Sequence, residues 1–213
     1  MKYLEFHVYT NNMKFFGWGL VRKLKLGKYL WYRIFLLKKM PKNSVCAEIG
    51  VAEGHFSFKI LKYTKPKKLF LIDPWESKEK WNKGNNKNNK VWTKEIQNFR
   101  YQQVKKKFEN NLNVKIIRDK SENALKSFPD NFFDWVYIDG DHSTKGVLSD
   151  LEICFLKVKS GGYIAGDDIS FDKDADPTRI AVRKGVELFL NKKPSVNLTL
   201  VHNNQFILQV QKK

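Results

Sequence analysis

From Val45 onward the chain alternates short apolar runs with longer amphipathic stretches, and most intervals between runs are long enough to hold a helix. A run of four to six apolar residues suits a strand buried on both faces, and the amphipathic stretch suits the crossover that a parallel pair needs. The pattern predicts strands at 44–49, 68–72, 114–117, 134–138 and 162–165. It predicts helices from the turn at Gly54 to about Tyr63, within 91–110, and over 145–157 and 178–190. Two further runs, 197–201 and 205–210, flank His202-Asn203-Asn204, a turn signal that suits a closing antiparallel hairpin. The expected fold is an α/β domain with a doubly wound, mostly parallel sheet of seven strands and a C-terminal antiparallel hairpin.

A length of 213 residues fits one such domain with a short appendage. The appendage is read as residues 1–43, and the domain as 44–213 with a polar insertion at about 76–110. The centre of that insertion, 83–90, reads Lys-Gly-Asn-Asn-Lys-Asn-Asn-Lys and predicts a mobile loop. Charge separates the two parts. Residues 1–43 hold ten of the 40 Lys/Arg but one of the 22 Asp/Glu, which concentrates half of the net +18 in a fifth of the chain. A basic excess favours anionic partners such as nucleic acid, lipid headgroups or phosphorylated substrates; a Lys- and Asn-rich composition also produces it with no partner. Phe15–Leu37 is the most apolar stretch, but Arg22, Lys23, Lys25, Lys28 and Arg33 interrupt it, so neither a membrane span nor a cleavable leader is expected. Cys46 and Cys154 lie inside apolar runs, without CxxC or Cys/His spacing, which argues against a zinc site or disulfide framework and for a cytoplasmic setting.

Four strand ends carry candidate chemistry. The first is Val45-Cys46-Ala47-Glu48-Ile49-Gly50-Val51-Ala52-Glu53-Gly54, an apolar strand ending in a Gly-x-x-x-Gly turn that opens a helix. Glycine permits a sharp turn and close approach to a ligand, and ligands of open α/β sheets sit at the carboxyl ends of strands. The tight first glycine pair of the dinucleotide fingerprint is missing, as is a P-loop lysine, which disfavours NAD and nucleoside triphosphates. The second is Leu69-Phe70-Leu71-Ile72-Asp73. Asp73 could accept hydrogen bonds from both ribose hydroxyls of a nucleoside, or it could cap a helix opened by Pro74.

The third segment, Phe133-Asp134-Trp135-Val136-Tyr137-Ile138-Asp139-Gly140-Asp141-His142-Ser143, discharges two carboxylates and a histidine within four residues of a buried strand. The fourth, Gly161-Gly162-Tyr163-Ile164-Ala165-Gly166-Asp167-Asp168, ends in two more acids. If these strands are neighbours, Asp139, Asp141, Asp167 and Asp168 converge at one edge. Clustered carboxylates raise one another's pKa, and a hard divalent ion such as Mg2+ would neutralise them with oxygen ligands. Asp and Gly also serve simply as loop formers.

Together these segments resemble class I S-adenosylmethionine-dependent methyltransferases. More narrowly, they are similar to the macrocin-type O-methyltransferases, which act on sugars and other natural-product hydroxyls. The resemblance spans about residues 41–210 and implies a Rossmann-like fold. It also implies that Gly50 and the backbone to Gly54 meet the methionine part of S-adenosylmethionine, with Glu48 nearby. Asp73 would take the ribose hydroxyls, and Asp119 and Ser121 would approach the adenine. In metal-dependent members the matching positions, Asp139, Asp167 and Asp168, hold Mg2+, and Asp141 matches the general base. His142 stands where the closest sugar enzymes carry Leu-Tyr; it could itself be the base, or a packed residue.

The implied chemistry is metal-assisted O-methylation, because a hydroxyl is almost wholly protonated at neutral pH and a bound cation lowers its pKa. The acceptor would be a small molecule such as a sugar. Nucleic acid fits less well, since amino-methylating enzymes of DNA bases carry Asn/Asp-Pro-Pro-Tyr/Phe where this chain has Asp139-Gly140-Asp141-His142. A non-catalytic cofactor-binding module is a further alternative. The basic arm could lie on an anionic membrane surface through Phe15, Phe16, Trp18, Leu30, Trp31 and Phe35, or cap the cleft as similar enzymes do.

Overall fold

The computed structural model describes residues 33–77 and 93–212. A helix over 33–39 (α1) precedes β1 (Val45–Ile49), α2 (His55–Thr64), β2 (Lys68–Ile72), α3 (Lys94–Phe108) and β3 (Val114–Ile117). Then follow α4 (Ser121–Lys126), β4 (Phe133–Ile138), α5 (Thr144–Lys157), β5 (Val158–Gly166), α6 (Pro177–Lys192), β6 (Val196–His202) and β7 (Gln205–Val210). The seven strands form one sheet in the order β3-β2-β1-β4-β5-β7-β6. The β1–β2, β1–β4, β2–β3 and β4–β5 pairs are parallel, and β7 runs antiparallel to both β5 and β6. This is the doubly wound, Rossmann-like sheet with a closing hairpin that the apolar pattern predicts.

The period-2 alternation of each strand builds two cores, one on each face. Ala47, Ile49, Phe70, Ile72, Val136, Ile138 and Ile164 meet α4, α5 and α6 through Leu125, Leu151, Val182 and Phe189. The alternate residues, Cys46, Leu69, Leu71, Trp135, Tyr137 and Ala165, meet α1, α2 and α3 through Leu36, Leu37, Ile60, Val104 and Phe108. Burying each of these large side chains contributes about 1.5–3 kcal/mol. Leu36, Leu37 and Met40 belong to this second core although sequence alone places them in the basic arm. The membrane-contact residues named from sequence, apart from Phe35, lie outside the described residues, as does 83–90. Phe35 is exposed and lies 4.6 Å from the His202 ring of β6.

Two elements differ from the sequence pattern. β5 begins at Val158 rather than Gly162, because the chain leaves α5 already extended; Lys159, Ser160 and Gly161 are exposed and carry no apolar signal. α4 is six residues long and mostly polar on its outer side, too short to establish a helical period. No helix among the described residues is long and apolar enough to cross a membrane.

Candidate active site

The strand order places the carboxyl ends of β2, β1, β4 and β5 side by side. At the end of β1, Gly50 turns with φ 84°, and a Cβ at that position would overlap the carbonyl of Asp139. The missing side chain therefore lets the turn after β1 touch the backbone after β4. The Gly50 N–H closes the β1–β2 ladder onto Ile72 O at 2.9 Å. Asp73 then ties the turn down. Its Oδ2 accepts the Val51 and Ala52 N–H groups at 2.9 and 3.0 Å, and its Oδ1 accepts the Trp75 N–H at 2.7 Å. Trp75 is buried and donates from its indole nitrogen to Ala52 O at 2.9 Å, which pins the same loop from the other side.

Gly54 caps α2 in the left-handed region with no side-chain cap, and Val104 and Phe108 of α3 close over it. The first-turn N–H groups of an uncapped helix suit an anionic group such as a carboxylate. With an acid at the end of β2, this donor and acceptor set fits the methionine and ribose parts of S-adenosylmethionine. Glu48 faces the α2 side of β1, fully buried, and accepts a hydrogen bond from Ser57 Oγ at 2.5 Å. Burial pushes its carboxyl up to about 8, against the opposing hydrogen bond from Ser57.

The β4–β5 pairing, with Ile138 opposite Gly166, brings Asp139, Asp167 and Asp168 together. Three basic side chains of the chain interleave with them. Arg33 of α1 donates to Asp139 Oδ2 at 3.0 Å and also to Asp167 Oδ2. His142 lies between two acids, with Nε2 3.2 Å from Asp139 Oδ1 and Nδ1 3.4 Å from Asp168 Oδ2. Arg179 of α6 reaches Asp168 Oδ1 at 3.4 Å. The hydrogen bond to Asp139 and the surrounding carboxylates raise the His142 pKa. Burial lifts Asp167 to about 6, with Arg33 opposing the rise. Asp168 has φ 59°, a conformation disfavoured for a side-chain-bearing residue, and it turns the carboxylate back toward His142.

Other candidates lie differently. Asp141 is exposed, and its Oδ1 accepts the Ser143 N–H at 3.0 Å, so it folds against the first turn of α5. Gly146 makes that possible, since a Cβ there would come 2.7 Å from Asp141 Cγ. Asp119 and Ser121 flank the end of β3. Asp119 Oδ1 accepts from Lys120 N at 2.7 Å, and Ser121 Oγ donates to the buried Asp150 at 2.5 Å. Arg33 and Arg179 had no sequence signal beyond their charge.

Among the described residues, donor atoms of Asp139, His142 and Asp168 all lie within 4.8 Å of one another, close enough for one cation to draw them together. Asp167 is not in that group. A nitrogen and two carboxylate donors fit a divalent ion.

The model of the methyltransferase domain family matches residues 47–169, which run from the middle of β1 to just beyond Asp168. No curated protein matches the chain in sequence. Several solved structures share its fold. A protein from Corynebacterium glutamicum superposes with a TM-score of 0.57 at 14% identity, over 85% of this chain and 79% of that one. A protein from Klebsiella pneumoniae, provisionally named an O-methyltransferase, gives 0.55 at 14% identity, over 89% and 81% of the two chains. One from Staphylococcus aureus, provisionally named a caffeoyl-CoA O-methyltransferase, gives 0.54 at 15% identity, over 88% and 84%.

Proposed function

The chain belongs to the methyltransferase domain family, and from that premise we propose that it transfers the methyl group of S-adenosylmethionine to a hydroxyl of a small-molecule acceptor. It is an S-adenosylmethionine-dependent methyltransferase. The observation that carries the O-methylation reading is the double position of Asp139. Its backbone carbonyl abuts the Gly50 turn, and its carboxylate belongs to the acidic cluster, so cofactor turn and reacting edge are one piece of structure.

In this reading Gly50 to Gly54 and the start of α2 receive the methionine part of the cofactor, with Glu48 beneath the turn. Asp73 holds the turn and offers the one Oδ1 lone pair left by its three backbone contacts to a ribose hydroxyl, and Asp119 and Ser121 border the adenine. A divalent ion held by residues of the acidic cluster, Mg2+ by the sequence resemblance, would lower the pKa of an acceptor hydroxyl. The sulfonium methyl is already activated, so the protein's remaining work is to align oxygen, carbon and sulfur and to remove one proton. The two base candidates differ in setting. Both ring nitrogens of His142 face carboxylates, whereas Asp141 is exposed and keeps Oδ2 outside its contact with Ser143. We assign the proton to Asp141. The burial of Leu36, Leu37 and Met40 supports a cap role for the segment leading into β1.

The test is methyl transfer from labelled cofactor to a panel of sugars, sugar nucleotides and phenols, with amines and RNA as controls. Label should enter a hydroxyl-bearing small molecule, and Asp139→Asn should lower turnover by about a hundredfold or more. Transfer to RNA or amines only, or unchanged turnover in the variant, would overturn the reading.

A further inference from the structure

The sequence resemblance leads one to expect an all-carboxylate cation site, and the geometry of this chain divides those carboxylates. Asp167 is buried and hydrogen-bonded to Arg33, whose guanidinium also takes Asp139 Oδ2. A guanidinium is permanently charged, so moving Asp167 onto a metal would leave a largely buried cation short of a partner. What lies outside the Arg33 pairs is Asp139 Oδ1, the His142 ring and Asp168 Oδ2, already drawn together at 3.2 and 3.4 Å, while Arg179 takes the other Asp168 oxygen.

We propose that the divalent cation of this site is held by Asp139, His142 and Asp168, with Arg33 keeping Asp167 out of the ligand set, and that the imidazole donor shifts the preference from Mg2+ toward borderline ions such as Mn2+, Co2+ or Zn2+. The proposal rests on the O-methyltransferase reading only for the place of the cation.

Three features support it. Ligand atoms around one ion at about 2.0–2.2 Å stand up to about 4.3 Å apart, so donors already within 4.8 Å need only small rotations. Asp168 adopts a left-handed backbone, and its Oδ2 faces the histidine at 3.4 Å. Mg2+ favours oxygen donors and keeps its waters, whereas imidazole binds later first-row ions strongly. His142 follows Asp141 directly, so one loop supplies both the imidazole and the exposed carboxylate.

The experiment is calorimetric titration of the full-length, chelator-treated protein with Mg2+ and separately with Co2+, whose visible absorption reports a nitrogen donor. Co2+ should bind at least about tenfold more tightly than Mg2+, and His142→Asn should reduce that preference by about tenfold or more while changing the Co2+ spectrum. Asp167→Asn should leave Co2+ affinity within about threefold, whereas Asp168→Asn should weaken it by about tenfold or more. Equal affinities for the two ions, a preference that survives in His142→Asn, binding lost in Asp167→Asn, or no binding of either ion would each overturn the proposal. Methyl transfer is scored separately: hydroxyl methylation with no cation preference sinks this inference alone, and a His142-dependent preference with no hydroxyl methylation sinks the functional reading alone.

Discussion

Arg33 donates to Asp139 Oδ2 at 3.0 Å across 106 positions of sequence, joining the helix before the first strand to the tip of the fourth. The same guanidinium holds the buried Asp167, stacks 5.1 Å from the Phe56 ring centroid, and has its pKa raised by nearby Tyr137, Asp139 and Asp167 against the opposing effect of burial. It is the countercharge of Asp139 and Asp167, as Arg179 is of Asp168.

Replacing it should therefore expose the repulsion it masks. Arg33→Met is expected to cost about 3 kcal/mol in urea unfolding, the usual scale for stranding one side of a mostly buried pair. Adding Asp167→Asn should recover at least about 1 kcal/mol of that loss in a double-mutant cycle. Strictly additive effects would show that the pair is not coupled.

Glu48 makes stability depend on pH. In the unfolded chain a glutamate is ionised above its ordinary pKa, while in the fold burial keeps this one protonated up to about 8. Between those values the native state binds the extra proton, so stability falls as pH rises and levels off above about 8. The difference amounts to roughly 5 kcal/mol over the window. Glu48→Gln should flatten thermal stability between about pH 5 and pH 8 and leave the variant more stable than the parent at the upper end. Parallel curves for the two proteins would contradict this.

Asp73 is expected to matter with no ligand present. Its two oxygens accept three backbone N–H groups, and Asn at this position offers one acceptor atom in place of two. Asp73→Asn should lose about 2 kcal/mol of stability and bind S-adenosylmethionine at least about tenfold more weakly by calorimetry. Weaker binding with unchanged stability would confine Asp73 to the ribose.

Asp141→Asn should separate proton removal from everything else. It is exposed and its contact with Ser143 N can survive the change. Turnover should fall about a hundredfold, with cofactor affinity within about twofold and melting temperature nearly unchanged. A parallel fall in affinity would mean that Asp141 shapes the loop rather than takes the proton.

The strands were legible because each is a short apolar run with an acid or glycine at its end. β2 and β3 fall at the residues the pattern picks, 68–72 and 114–117. Their order in the sheet was not visible locally, yet the carboxylates at 139 and 167–168 could converge only if β4 and β5 were neighbours, as they are. What sequence could not show is the set of partners. Arg33 looks like any other charge in a basic arm until α1 folds onto the sheet. His142 reads as a base or a packed residue until the acids on either side of it are placed. Asp73 suggests a ribose, and only the fold reveals that it first fastens its own turn.

The glycine at 50 has a consequence for anyone who would redesign this protein. Because no side chain separates that turn from the carbonyl of Asp139, the two sites share a wall one backbone thick, with no soft layer to absorb a shift. A change that nudges either strand tip will be felt at both, so selections for a new acceptor will disturb the fold least at positions that touch neither the Gly50 turn nor Asp139.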